Sequence, residues 1–147
     1  VDTDIQGYDI DDKMIAIARQ NAKLAGVETK IHFQRRPLSM LSHPKKYGFL
    51  ITNPPYGERL SEKEALPELY HELGERFAAL DSWSMYVITA YENAQRDIGR
   101  KADKNRKIYN GMMKTYFYQY IGPKPPRKLR PEEAGDGRRT AERGERR

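Results

Sequence analysis

The chain has no cysteine, so it forms no disulfide and offers no thiolate to a metal ion. Its three histidines, His32, His43 and His71, lack the spacing of a metal-ligand set. No apolar run approaches the roughly 20 residues that cross a bilayer, and no secretory leader opens the chain. No internal repeat is visible. Apolar residues are scarce at 37%, against 33% charged residues, yet 147 residues suffice for one domain with a real core. These absences set aside disulfide-stapled, thiolate-metal and membrane-spanning classes, and a soluble, cytoplasmic protein is the default.

The scarcity is uneven. From Gly122 to Arg147, nine Lys/Arg face five Asp/Glu, which is +4 of the total +6, with four prolines and one large aliphatic residue, Leu129. Such a stretch buries too little surface to offset the entropy of ordering it. Residues 122–147 therefore read as a basic disordered tail: either a solubilising terminus or an arm that releases counterions from nucleic acid. Residues 1–121 form the remaining unit. The chain begins with Val1 almost inside a strand, which points to the carboxyl-terminal piece of a longer protein.

Within residues 1–121, strand and helix patterns alternate, the signature of a parallel α/β sheet. Ile5 to Asp9 reads as a strand end. A helix capped by Asp11 or Asp12 follows, with Ile15, Ala18, Ala22 and Ala25 on one face and Gly26 as its stop. Lys30–Gln34 and Tyr47–Thr52 read as strands, separated by a polar loop. Leu66, Leu69, Tyr70, Leu73, Phe77 and Leu80 recur at helical spacing as core. Trp83–Ala90 reads as a fourth strand, with Met85, Val87 and Ile88 inward. Asn110-Gly111 predicts a hairpin between Arg106–Tyr109 and Met112–Ile121, adding an antiparallel strand pair.

The most specific feature is Asn53-Pro54-Pro55-Tyr56, which directly ends the third strand. Neither proline donates to a ladder, and each drives the residue before it into extended geometry. The result is a stiff turn carrying an amide, a free carbonyl and an aromatic face at a strand's carboxyl end, where open α/β sheets bind ligands. Asn53 and the Pro54 carbonyl offer two acceptors to the two N–H bonds of a base's exocyclic amine, and Tyr56 offers a ring to stack on. The plainer alternative is an ordinary Asn-Pro loop. Asp9 sits where a carboxylate accepts from both hydroxyls of a nucleoside ribose, the plainer alternative being a helix cap. Arg59 is a candidate phosphate contact or a solvated charge. The aromatics of Tyr116-Phe117-Tyr118 and Tyr120 read first as strand residues and second as a stacking platform.

Gly7-Tyr8-Asp9-Ile10-Asp11, the octapeptide from Asn53 to Leu60 and the Asn110-Gly111 hairpin together resemble the THUMP-associated RNA methyltransferases, in particular the RlmL/YpsC-like group. That group methylates guanine in large-subunit ribosomal RNA and has often been labelled as adenine-N(6)-specific DNA methylases. The likeness covers residues 3–121. It implies a Rossmann-like fold with a seven-stranded mixed sheet closed by an antiparallel hairpin, and the cofactor S-adenosylmethionine. It implies that Asp9, with Ile10 and Leu38, lies on the cofactor side. Asn53, Pro54 and Tyr56 would hold the target base, with Pro55, Gly57 and Arg59 beside the substrate. The product would be N(2)-methylguanosine, with S-adenosylhomocysteine released and no metal involved. The family's glycine-rich loop and THUMP domain are not in this sequence, so the chain by itself is expected to bind cofactor poorly. Gln34-Arg35-Arg36-Pro37-Leu38 also lacks the acid that many relatives place near the adenine. Adenine-N(6) methylation, and a non-catalytic nucleic-acid-binding fragment, stay open beside this reading.

Overall fold

The computed structural model describes residues 3–57 and 63–127. In chain order the elements are β1 (Ile5–Asp9), α1 (Asp12–Leu24), β2 (Ile31–Arg35), a one-turn 3-10 helix (Leu38–Met40), β3 (Phe49–Thr52), α2 (Leu66–Ala79), β4 (Ser84–Thr89), α3 (Ala94–Ile98), β5 (Lys104–Asn110) and β6 (Met113–Tyr120). β1 and β2 form a parallel pair. The other four strands form a mixed sheet in the order β3-β4-β6-β5, with β3 parallel to β4 and the rest antiparallel. The mixed sheet and its closing hairpin match the expected fold class. The described residues hold six strands in two sheets rather than seven in one, because β1 and β3 each have a single partner.

The four-stranded sheet carries the core. α2 buries Leu66, Tyr70, Leu73 and Phe77, one residue per turn along one stripe. They pack with Met85 and Val87 of β4, Tyr118 and Tyr120 of β6, and Ala94 and Ile98 of α3. The β1–α1–β2 unit is far more open, with Ile15 and Ala22 its buried hydrophobic residues. Local signals set its boundaries. Asp11 caps α1 by accepting from the Lys13 amide at 2.8 Å, and past the last turn the Val27 amide returns to the Ala22 carbonyl at 2.9 Å.

Polar contacts outside the strands tie the two sheets together. The Asp4 carboxylate, just before β1, meets the His43 ring at 3.2 Å and the Lys45 ammonium at 3.1 Å in the loop before β3. The Lys45 carbonyl in turn accepts from the Trp83 indole at 2.8 Å.

Several expectations need correcting. Tyr47 has φ +62°, which an extended strand excludes, so β3 begins at Phe49. Ile88 is exposed because β4 alternates, turning Met85, Val87 and Thr89 inward and Ile88 out. Ala25 is also exposed, since α1 ends at Leu24. The hairpin turn falls one residue later than Asn110-Gly111. Asn110 pairs with Met113, leaving Gly111 and Met112 as the loop. Positive φ occurs at Gly111, the first loop residue, and not at Met112, which is the type II′ pattern. At the carboxyl end, the Gly122 amide donates to Ser84 Oγ at 2.8 Å, so chain held by the sheet extends past 121. The proposed tail lies outside the described residues from Lys128 onward.

Candidate active site

β1 and β3 each deliver a candidate residue at a carboxyl end: Asp9 is the last residue of β1, and Asn53 follows the last residue of β3. Beyond β3 the chain turns sharply. Asn53 and Pro55 are exposed, Pro54 and Tyr56 are half-buried, and Gly57 is buried. Gly57 has φ +84°, and a Cβ there would lie 3.0 Å from both Leu66 Cδ1 and Lys63 Cγ. Glycine is therefore required at Gly57 for the turn itself, whatever it does for a substrate.

The hydrogen-bond accounting within this turn is uneven. The Pro55 carbonyl accepts from the Tyr70 hydroxyl at 2.9 Å. Among the described residues, no donor engages the Pro54 carbonyl or the Asn53 side chain. Among the described residues, two neighbouring acceptors at a strand end thus remain without a donor, beside a carbonyl that is tied down. Arg59, the expected phosphate contact, lies outside the described residues.

Asp9 is not the cap of α1, which is Asp11. One Asp9 carboxylate oxygen accepts from the Asp11 amide at 2.8 Å, closing the turn into α1. The other accepts nothing among the described residues, and the residue is exposed. The end of β2 is drawn against this turn. The Arg36 amide donates to the Asp9 carbonyl at 2.9 Å, and Arg35 Nε to the Ile10 carbonyl at 2.9 Å. The Arg36 guanidinium lies 5.0 Å from the centre of the Tyr8 ring. Ile10 is 66% exposed and presents apolar surface beside the carboxylate. Leu38 differs: its side chain packs against the core cluster, and its carbonyl accepts from the Leu41 amide at 3.0 Å. That carbonyl is thus committed within the 3-10 turn.

Asp9, Ile10 and the end of β2 come together as one rim, and Asn53 to Gly57 as another. No hydrogen bond or ion pair among the described residues joins the two. A surface cleft of about 300 Å³, lined by Arg19, Ala22, Glu28, Ile31, His32 and Phe33, shares no residue with either rim. Helical spacing places Tyr70 in the core, but spacing alone misses its contact with the turn. The available signal was its hydroxyl, since a buried tyrosine needs a partner for that group.

Residues 1–119 match the family described as UPF0020, RMKL-like, methyltransferase domain. YpsC of Bacillus subtilis (strain 168), provisionally named as an RNA methyltransferase, is 42% identical over 126 residues, which are 86% of this chain and 33% of YpsC. Ribosomal RNA large subunit methyltransferase K/L of Shewanella woodyi is 39% identical over 119 residues, 80% of this chain and 17% of that protein. The crystal structure of SMU.472, a provisionally named methyltransferase complexed with SAH, superposes with a TM-score of 0.80 at 42% identity, over 86% of this chain and 33% of that one. The chain spans a third or less of the length of these three proteins.

Proposed function

The chain belongs to the UPF0020 family of RMKL-like methyltransferase domains, and from that premise we propose that it is the base-recognising part of an S-adenosylmethionine-dependent RNA methyltransferase acting on the exocyclic N2 amine of guanine in large-subunit ribosomal RNA. One observation carries the reading. The Asn53 side chain and the Pro54 carbonyl stand together at a strand end with no donor among the described residues. An NH2 group supplies two donors and fits that pair.

The residues of the Asp9 rim suit the cofactor. An exposed carboxylate with one uncommitted oxygen accepts a ribose hydroxyl, and the exposed Ile10 side chain offers apolar surface to a base. Leu38 would contribute side-chain packing rather than its carbonyl. When bound, S-adenosylmethionine would supply a methyl group on positively charged sulfur; the leaving sulfur would keep the bonding pair as a neutral thioether, and the amine nitrogen, once bonded to the methyl carbon, would release one of its two protons to solvent.

An aromatic amine is a weak nucleophile because its lone pair is delocalised into the ring. Asn53 Oδ1 and the Pro54 carbonyl each accept one N–H, which favours pyramidal nitrogen and directs the lone pair away from the two acceptors. Tyr56 stacks on the base and fixes its plane. The rate gain comes from position and orientation, with no covalent intermediate on the protein. Paired bases must first leave the helix, at a cost of a few kcal/mol. RNA as substrate is supported by the names of YpsC and of methyltransferase K/L.

The test uses the full-length protein and the cells that encode it. Loss of the gene should remove N(2)-methylguanosine from one position of large-subunit ribosomal RNA, as measured by nucleoside mass spectrometry. Loss of N(6)-methyladenosine instead would move the reading to adenine. Asn53→Ala should lower methyl transfer by at least about 100-fold while cofactor affinity stays within about twofold. Unimpaired turnover in that variant would remove Asn53 from its role.

A further inference from the structure

Tyr70 is fully buried on α2, and Thr89 is fully buried at the end of β4. Their oxygens lie 2.5 Å apart. The Tyr70 oxygen also lies 2.9 Å from the Pro55 carbonyl, and Thr89 Oγ1 lies 3.0 Å from the Tyr91 amide nitrogen. Proton accounting gives these three contacts one direction. A carbonyl only accepts, so the Tyr70 proton points to Pro55. An amide N–H only donates, so Thr89 Oγ1 receives the Tyr91 proton. The hydroxyl proton of Thr89 remains, and it goes to the Tyr70 oxygen. The chain runs from the Tyr91 N–H through the Thr89 and Tyr70 hydroxyls to the Pro55 C=O, each link polarising the next. Burial pushes the Tyr70 phenol up to about 12, so its proton is in place at neutral pH. The Tyr91 ring lies 4.7 Å from the Tyr70 ring, centroid to centroid, and holds it from the side.

The end of this chain falls on a backbone with little freedom. The ring of Pro55 locks its φ near −65°. The bond from Tyr70 fixes the plane of the next peptide and with it the ψ of Pro55. Both torsions of Pro55 are then set. The peptide on its amino side carries the Pro54 carbonyl, and the peptide on its carboxyl side leads to Tyr56. The orientation of both is thereby referred to the buried framework of α2 and β4.

We propose that Tyr70 and Thr89 are positioning residues that aim the Asn53–Tyr56 turn at its target amine, acting through the Pro55 carbonyl without touching substrate. This rests on the reading of the turn as an amine-accepting site.

Single-turnover methyl transfer by the full-length protein, with RNA and cofactor affinities measured separately, tests it. Tyr70→Phe keeps the ring and its stacking but removes both of its hydrogen bonds. Turnover should fall roughly 10–100-fold, the cost of a small misplacement of a reacting group. RNA and cofactor affinities should stay within about twofold. Thr89→Val leaves Tyr70 its bond to Pro55 and should cost less, about 3–10-fold, while Thr89→Ser restores the relay and the rate. The double variant Tyr70→Phe/Thr89→Val should be no worse than Tyr70→Phe alone. A Tyr70→Phe enzyme that melts lower yet turns over normally when folded overturns the proposal, as do losses that simply add. If Tyr70→Phe does not fold, the Thr89→Val and Thr89→Ser pair decides: equal rates in the two overturn it. Asn53→Ala separates the two levels. If that variant is inactive while Tyr70→Phe is normal, only the positioning role fails. If it is fully active, the amine-site reading fails and this proposal with it.

Discussion

The two rims of the candidate site are built on different foundations. The Asn53–Gly57 turn leans on α2 and β4, where Tyr70, Leu73, Met85, Val87 and Tyr120 are almost fully buried. The Asp9 turn stands on a two-stranded sheet and one helix, with Ile5, Ile10, Met14, Ile17 and Leu24 all at least 47% exposed. The Asn53–Gly57 turn thus rests on a packed support and the Asp9 turn on an open one. On the proposed function, chemistry that depends on angle would sit on the packed half, and a carboxylate that only has to accept hydroxyl protons on the looser one.

The contrast is broken most directly by stability. Phe77→Ala should cost about 3–5 kcal/mol in urea unfolding, as large aromatic deletions in packed cores do. Met14→Ala on α1 should stay within about 0.5 kcal/mol, as exposed substitutions do. An equal cost at the two positions would remove the contrast. The second comparison is functional. Asp9→Ala should weaken cofactor binding by roughly 10–100-fold, the worth of one or two charged hydrogen bonds. With saturating cofactor its turnover should recover, which Asn53→Ala cannot match. Titration calorimetry and saturation kinetics check the pair.

Alkali should attack the packed half first. Burial pushes the Tyr70 and Tyr120 hydroxyls from 10.0 up to about 12. The folded state therefore keeps protons that the unfolded chain releases above pH 10. That stabilising contribution is complete below pH 10 and fades as pH rises towards 12. Urea midpoints should fall across that window, and Tyr120→Phe should flatten the fall. The smallest effect is expected from the basic terminus. Removing residues 128–147 should leave the urea midpoint unchanged and weaken RNA binding a few-fold at low salt, with little difference at high salt.

Most of the element order was legible because periodicity is a local property. The stripe of α2 and the diproline stop after β3 follow from neighbours a few residues apart, whereas β4 reads as an apolar run and its alternation, with Ile88 outward, shows only once the strand is packed. At Asn53 and Asp9 the sequence alone nominates candidates, because chemistry and position coincide there. Other features depend on partners distant in sequence. Tyr47 leaves the strand with a left-handed backbone, and the hairpin settles on Gly111 and Met112 because the β5–β6 register places Asn110 opposite Met113. The bond from Tyr70 to Pro55 spans fifteen residues and depends on where α2 lands. The division into two sheets is a question of which strands meet, and no spacing within a strand encodes it.

That division has a consequence for the chain handled by itself. On one side of β1, and on one side of β3, peptide groups point outward with no strand opposite among the described residues. Ile5 on the first and Phe49 and Ile51 on the second add bare hydrocarbon. Such rows are adhesive: any extended segment able to lie alongside is zipped in, including the same strand of another copy. The isolated polypeptide should therefore clump as its concentration rises, and added arginine or a soluble strand-forming peptide should disperse it.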